Sequence, residues 1–315
     1  ALELHEKVLE LSIKKYGEKH PETGNAYNNL GSFYLSQGNY QQALQNFNKA
    51  LENFDQENPE ARVLEVYNNL GLLFLYQERV VKSQEFFEKG ISIAINKISN
   101  THPTLAELYK GMGGLLCQKE QFKKAEKNYR MALEILKKNY EDVHPYIGMI
   151  YNCLASAACG QGNFDKAITY YKKALKIFSD YFGKKHRKVA EVYQNIGLVY
   201  LNQEKPNEAL REFSTSIEIN LHTKNFSAVA NTFGLIGDLY NDSGQTLHSV
   251  RAYRNSIKFL GDDIKKLSEI FYNLGSALDS ELIYKDAIRV WKKSLVIMRK
   301  VYGGRNEKVR IIMDD

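Results

Sequence analysis

The sequence predicts an all-α protein made of helical hairpins in tandem, and three observations predict it. A glycine or alanine recurs at Gly31, Gly71, Gly113, Ala155, Gly197, Gly237 and Gly275, at intervals of 40, 42, 42, 42, 40 and 38 residues, which marks a repeat architecture. Each is framed at fixed offsets by the same kinds of residue: an aromatic four before, an apolar residue one before, a small residue twelve after, an aromatic sixteen after and an aliphatic twenty after. Only five prolines occur in 315 residues, as a mostly helical chain requires.

The offsets resolve each unit into two helices. A helix turns ~100° per residue, so Tyr27, Tyr67, Tyr109, Tyr151, Tyr193, Phe233 and Phe271 share one face with Leu30, Leu70, Met112, Leu154, Ile196, Ile236 and Leu274. A second helix presents Ala43, Phe47 and Leu51, then Ser83, Phe87 and Ile91, and so on to Ala287, Trp291 and Leu295. Turns such as Gln37-Gly38-Asn39 and Gln161-Gly162-Asn163 are too short for anything but an antiparallel hairpin. The small residues mark the close helix crossings.

In chain order, Ala1 lies 42 residues before Ala43, so residues 1–19 read as the second helix of a repeat whose first helix is missing. Repeats follow at 20–58, 59–100, 101–142, 143–184, 185–224, 225–262 and 263–304, and 305–315 reads as the start of a further helix. First helices are expected over Pro21 to Ser36, Ala61 to Tyr76, Pro103 to Gln118, Pro145 to Cys159, Lys188 to Asn202, Ser227 to Asp242 and Lys265 to Ser280. Their partners begin at Tyr40, Val80, Phe122, Phe164, Pro206, Gln245 and Tyr284. Proline at 21, 103, 145 and 206 suits the first helical turn, where its missing N–H costs nothing. Neither end shows an obvious cap, so the chain is expected to be a piece of a longer protein and to form one continuous array.

These units resemble the tetratricopeptide repeat over nearly the whole chain. The 40- to 42-residue period, the His-Pro pairs at 20–21, 102–103 and 144–145 with His186-Arg187 as a variant, and Tyr-Asn-Asn-Leu-Gly at 27–31 and 67–71 are similar to the kinesin light chain class. The resemblance implies a right-handed α-α superhelical solenoid of about seven hairpins, with no cofactor and with a protein partner held in the concave groove lined by the first helices.

Composition fits a water-soluble repeat protein: 43% hydrophobic, 25% charged, net charge +6. That charge is mild for the length, so nucleic acid is not expected as a partner. No run reaches the ~18 to 20 apolar residues of a membrane span, and the start lacks a signal-peptide pattern. A cytoplasmic location is expected, with association to the cytoskeleton or a cilium as a further option. Cys117, Cys153 and Cys159 are odd in number and lack Cys-x-x-Cys spacing; repeat geometry alone places Cys117 and Cys159, and all three read as reduced and structural.

Little in the chain reads as chemistry. His20, His102, His144 and His186 fall one per repeat, too far apart to share a metal, and each is expected to start a helix. Gly111-Met112-Gly113-Gly114 lies inside a helix and is no phosphate loop. No Ser, His and acid constellation stands out, so the chain is expected not to be an enzyme. The 21 tyrosines and 15 phenylalanines are assigned largely to the core.

Function is therefore sought on the first-helix face turned away from the buried aromatic, which holds Asn25, Asn28, Asn29, Glu65, Asn68, Asn69, Glu107, Lys110, Asn152, Glu191, Gln194, Asn195, Asn231, Asp238, Asp242, Glu269 and Asn273. Asparagine amides both donate and accept, so they suit the backbone of an extended peptide; they suit equally a bridge between neighbouring repeats. Glu65, Glu107, Glu191, Asp238, Asp242 and Glu269 face one base, Lys110. The expected groove is acidic in a net basic chain, and a partner with a basic segment fits it. It lacks the bases with which chaperone-cofactor relatives grip a terminal carboxylate and kinesin light chains grip acidic cargo. Lysines cluster instead on the second helices, at Lys123, Lys124 and Lys127 and at Lys172, Lys173 and Lys176. They read as a solvated face or as a dock for an acidic surface such as a tubulin tail or nucleic acid. Two functions follow: a scaffold or adaptor holding a partner in its groove, or an architectural subunit of a cytoskeletal or ciliary assembly that uses its outer face and ends.

Overall fold

The structure, a computed structural model, describes residues 1–55, 59–261 and 263–302, and all regular secondary structure among them is helical. Helix α1 (Leu2–Tyr16) precedes seven hairpins: α2 (Pro21–Ser36) with α3 (Tyr40–Glu52), α4 (Arg62–Tyr76) with α5 (Val80–Ile93), α6 (Pro103–Gln118) with α7 (Phe122–Asn139), α8 (Pro145–Gly160) with α9 (Phe164–Phe182), α10 (Arg187–Asn202) with α11 (Pro206–His222), α12 (Phe226–Asp242) with α13 (Thr246–Phe259), and α14 (Ile264–Ser280) with α15 (Tyr284–Tyr302). Helix α5 runs on into a π-helical turn, Ala94–Ile98. Every expected helix start and every expected first-helix end falls within one residue of its place. The further helix expected at 305–315 lies outside the described residues.

The residues form two compact units, Ala1–Ile177 and the part from Phe178 onward. In the N-terminal unit the core runs through Phe47, Leu64, Leu70, Leu73, Phe87, Leu105, Leu108, Leu115, Leu136 and Ile147, none of them more than 1% exposed. In the C-terminal unit Phe213, Val229, Ala230, Tyr253, Leu274 and Ala287 hold the same place.

The recurring glycine has a steric cause. A β-carbon built on Gly71 would stand 2.5 Å from the Phe87 ring, and one on Gly111, in the next hairpin, 2.4 Å from the same ring. Carbon atoms in contact sit at about 3.5–4.0 Å, so one aromatic is clasped by two helices only because both are bare there. The aromatics sixteen after the small residue are buried at Phe47, Phe87, Tyr129, Tyr171, Phe213 and Tyr253. Those four before it are buried only at Tyr67 and Tyr109; Tyr27, Tyr151, Tyr193, Phe233 and Phe271 are half-buried, so the first-helix stripe is less a core than its composition suggests.

Each of the four histidines caps a helix. His20 Nδ1 accepts from the Glu22 N–H (3.1 Å), His102 from Thr104 (3.2 Å), His144 from Tyr146 (3.3 Å) and His186 from Lys188 (3.2 Å), each satisfying a backbone donor that the first turn leaves without a helical partner. Three of the rings also stack on an aromatic four residues earlier: Tyr16 on His20 at 4.8 Å, Tyr140 on His144 at 4.1 Å and Phe182 on His186 at 4.3 Å between centroids.

A candidate partner-binding groove

In the N-terminal unit the first helices α2, α4 and α6 turn their polar faces into one cleft of about 440 Å³. Asn28, Asn29, Glu65, Asn68, Asn69 and Glu107 line it together with Ser32, Pro103, Thr104, Tyr140 and Tyr146. Six residues chosen by helical offset from three repeats thus meet in one place. Asn25 is half-buried on α2 and Lys110 lies on α6, ion-paired to Glu107. Asn152 is half-buried on α8.

Part of this face is tied up between repeats. Asn69 Nδ2 donates to Asn28 Oδ1 and to Ser32 Oγ, both at 3.0 Å, and Asn28 is only 3% exposed. These amides bridge α4 to α2. Asn29 and Glu65 are exposed, and the Glu65 side chain makes no hydrogen bond or ion pair with any described residue. Asn68 Oδ1 is hidden from solvent and accepts no hydrogen bond from the described residues. The Glu65 carboxylate and the Asn29 amide are therefore the exposed polar groups of the cleft without a partner among the described residues.

The C-terminal unit distributes its candidates differently. Glu191 and Gln194 line a cleft of about 270 Å³ with Arg187, Lys188, Asn220, Asn225 and Ala228. Glu191 is neutralised by Lys188 at 2.8 Å, and Gln194 Oε1 accepts from the Thr232 hydroxyl at 2.9 Å across to α12. Asn195 is half-buried. Asp238 and Asp242 share a cleft of about 390 Å³ with Glu204, Leu201, Leu235, Leu239, Pro206 and Ser243. Asp238 is a structural node: its Oδ1 accepts from Tyr253 Oη (2.7 Å) and from Asn273 Nδ2 (3.1 Å), and burial raises its carboxyl above the ordinary 3.8 in spite of these bonds. Asn231 is half-buried with its Oδ1 unpartnered, and Glu269 is exposed on α14.

The sequence reading missed Tyr140 and Tyr146, which line the cleft. The signal was present: an aromatic stands four before His20, His144 and His186, while Ile98 stands there for His102. On the second helices Glu126 of α7 ties its hairpin to the next. It accepts from Lys166 (2.9 Å), Arg130 (2.8 Å) and Gln161 (3.0 Å). Burial pushes its carboxyl up, but these bonds outweigh burial and hold it at about 2. Cys117, Cys153 and Cys159 are half-buried and form no disulfide among the described residues. Among the described residues no cluster of three or more His, Cys, Asp or Glu is placed to hold a metal, and no helix is long and apolar enough to cross a membrane.

Stacked α-helical hairpins that present polar first-helix faces define a repeat protein of the protein-interaction class. The model of the tetratricopeptide repeat matches residues 1–56, 62–138 and 146–221, and the chain belongs to that family. No curated protein matches it. Among solved structures it is similar to BtubC (BKLC) from P. vanneervenii, at 20% identity over 73% of this chain and 94% of that one, with a TM-score of 0.60. It is also similar to the apo form of RapI, at 15% identity over 87% and 97%, TM-score 0.63. The nearly identical TPR-like repeats of a Podospora anserina protein described as a kinesin light chain match at 17% identity over 65% and 98%, TM-score 0.55. At such identities these likenesses show the fold alone.

Proposed function

We propose that the protein is a non-enzymatic scaffold that holds an extended segment of a protein partner along its first helices, with the cleft between α2, α4 and α6 as its main grip. One observation carries the reading: three successive repeats bring six polar side chains into a single cleft, and among them the Asn29 amide and the Glu65 carboxylate are exposed. A partner segment with a basic residue complements it. The family's general role in protein–protein interaction supports the reading, and a cytoplasmic setting accords with it.

The architectural alternative draws on the second helices. Lys123, Lys124 and Lys127 are exposed on α7 and make no ion pair with any described residue, so an acidic neighbour such as a cytoskeletal surface has charges to meet there. The two readings separate on the full chain. Peptides selected from an unbiased display library are expected to lose binding when Asn29→Trp fills the cleft and to keep it when Lys124→Trp alters α7. The opposite pattern places the site on the outer face.

A further inference from the structure

Resting on that reading of the groove, we propose that the cleft between α2, α4 and α6 is an arginine receptor, which takes the guanidinium of the partner's segment in preference to lysine or a neutral residue.

The inventory of donors and acceptors points there. The lining contains two carboxylates and no base, and one of them, Glu107, is already answered from outside the lining by Lys110. Glu65 is exposed and unanswered. Asn69 has committed both its N–H groups to Asn28 and Ser32, while the exposed Asn29 lines the same cleft with an amide oxygen open to an incoming donor. The cleft is therefore short of one positive charge, at Glu65. A lysine ammonium brings the charge as a compact, strongly hydrated point; a guanidinium brings the charge with five N–H donors in a plane and is more weakly hydrated. The planar fork can meet a carboxylate and an amide oxygen together.

The aromatic wall adds a second, independent reason. Tyr140 is stacked against His144 at 4.1 Å and meets Tyr146 edge to face, 82° between planes and 5.9 Å between centroids. Tyr146, held at the start of α8 by the His144 cap, remains 43% exposed. An exposed tyrosine ring that lines the same cleft as a carboxylate is a setting in which a guanidinium stacks while its edge is hydrogen-bonded. A volume of about 440 Å³ lies within the ordinary range for a ligand pocket and leaves room for backbone on either side.

The test uses the full chain and short random peptide pools fixed at their central residue as arginine, lysine, citrulline or glutamate. Binding is read by fluorescence polarisation, and the site by hydrogen exchange. The arginine pool is expected to bind about tenfold more tightly than the lysine or citrulline pool, with protection of α2, α4 and α6. Glu65→Gln is expected to remove the advantage over citrulline. Tyr146→Leu is expected to bring arginine down to lysine. Both positions are exposed, so neither change threatens the fold, and a circular dichroism melt checks that. Equal binding of the lysine and arginine pools, with the same helices protected, overturns the arginine assignment and leaves the groove reading standing. Tightest binding by the glutamate pool, or protection away from these helices, overturns both.

Discussion

Gly113 and Gly114 are neighbours in α6, and alanine at the two positions is expected to act in opposite directions. A β-carbon on Gly113 would stand 2.3, 2.7 and 2.8 Å from three atoms of the Tyr129 ring, whereas one on Gly114 meets nothing within 4 Å. Tyr129 is 4% exposed, so its ring has little room to yield, and overpacking of this kind costs about 1–3 kcal/mol. Ala155 holds the equivalent place in the next hairpin, opposite Tyr171, which sets the cost toward the lower end. Replacing glycine by alanine inside a helix returns about 0.8–1.0 kcal/mol at either position. Gly114→Ala should therefore stabilise by nearly 1 kcal/mol, and Gly113→Ala should be neutral to about 2 kcal/mol destabilising. Because the helix-propensity gain is common to both, their difference isolates the ring displacement at about 1–3 kcal/mol. Urea unfolding of the full chain, followed by circular dichroism at matched slopes, measures it. A Gly113→Ala variant as stable as Gly114→Ala would refute the claim that the repeating glycine exists to seat an aromatic ring.

Two carboxyls give opposite dependences on pH. Glu126 sits at about 2 against an ordinary 4.5, so its contribution is fully present above 4.5 and is lost as pH falls toward 2; Glu126→Gln should cost about 1–3 kcal/mol at pH 7, allowing for its partly exposed partners, and almost nothing near pH 2. Urea midpoints at the two pH values check this. Asp238 is raised above 3.8 by burial, so its favourable contribution is complete below 3.8 and fades as pH rises through its folded value. Asp238→Asn keeps an acceptor for Tyr253 and Asn273 without the charge, and its stability relative to wild type should improve from pH 4 to pH 7 in thermal melts.

Much of the fold was legible because helical offsets are rigid. Once Tyr67, Gly71, Ser83 and Phe87 were seen to recur, both helices of every hairpin followed, and proline and histidine fixed most of the starts. The grouping of groove residues was legible for the same reason, since offset alone placed Glu65 beside Asn68 and brought Asn29 and Glu107 to the same cleft. What offset does not carry is the partner of each polar atom. Asn28 and Asn69 occupy groove positions and spend themselves on each other, and Asp238 answers Tyr253 from a residue fifteen places on, a pairing set by how α12 and α13 cross. Tyr140 and Tyr146 escaped because they lie at the end of α7 and in the first turn of α8, outside the offsets that recur in all seven hairpins.

The central claim, that the cleft of α2, α4 and α6 holds a partner segment, is tested most directly by a photo-cross-linker placed singly in the full chain and irradiated in the native source, with the captured peptides sequenced. At Asn29, inside the cleft, one recurrent extended segment with arginine near the attachment point is expected; at Lys124, on α7, that segment should be absent. Its capture at Lys124 with none at Asn29 would contradict the account and place the working surface on the second helices.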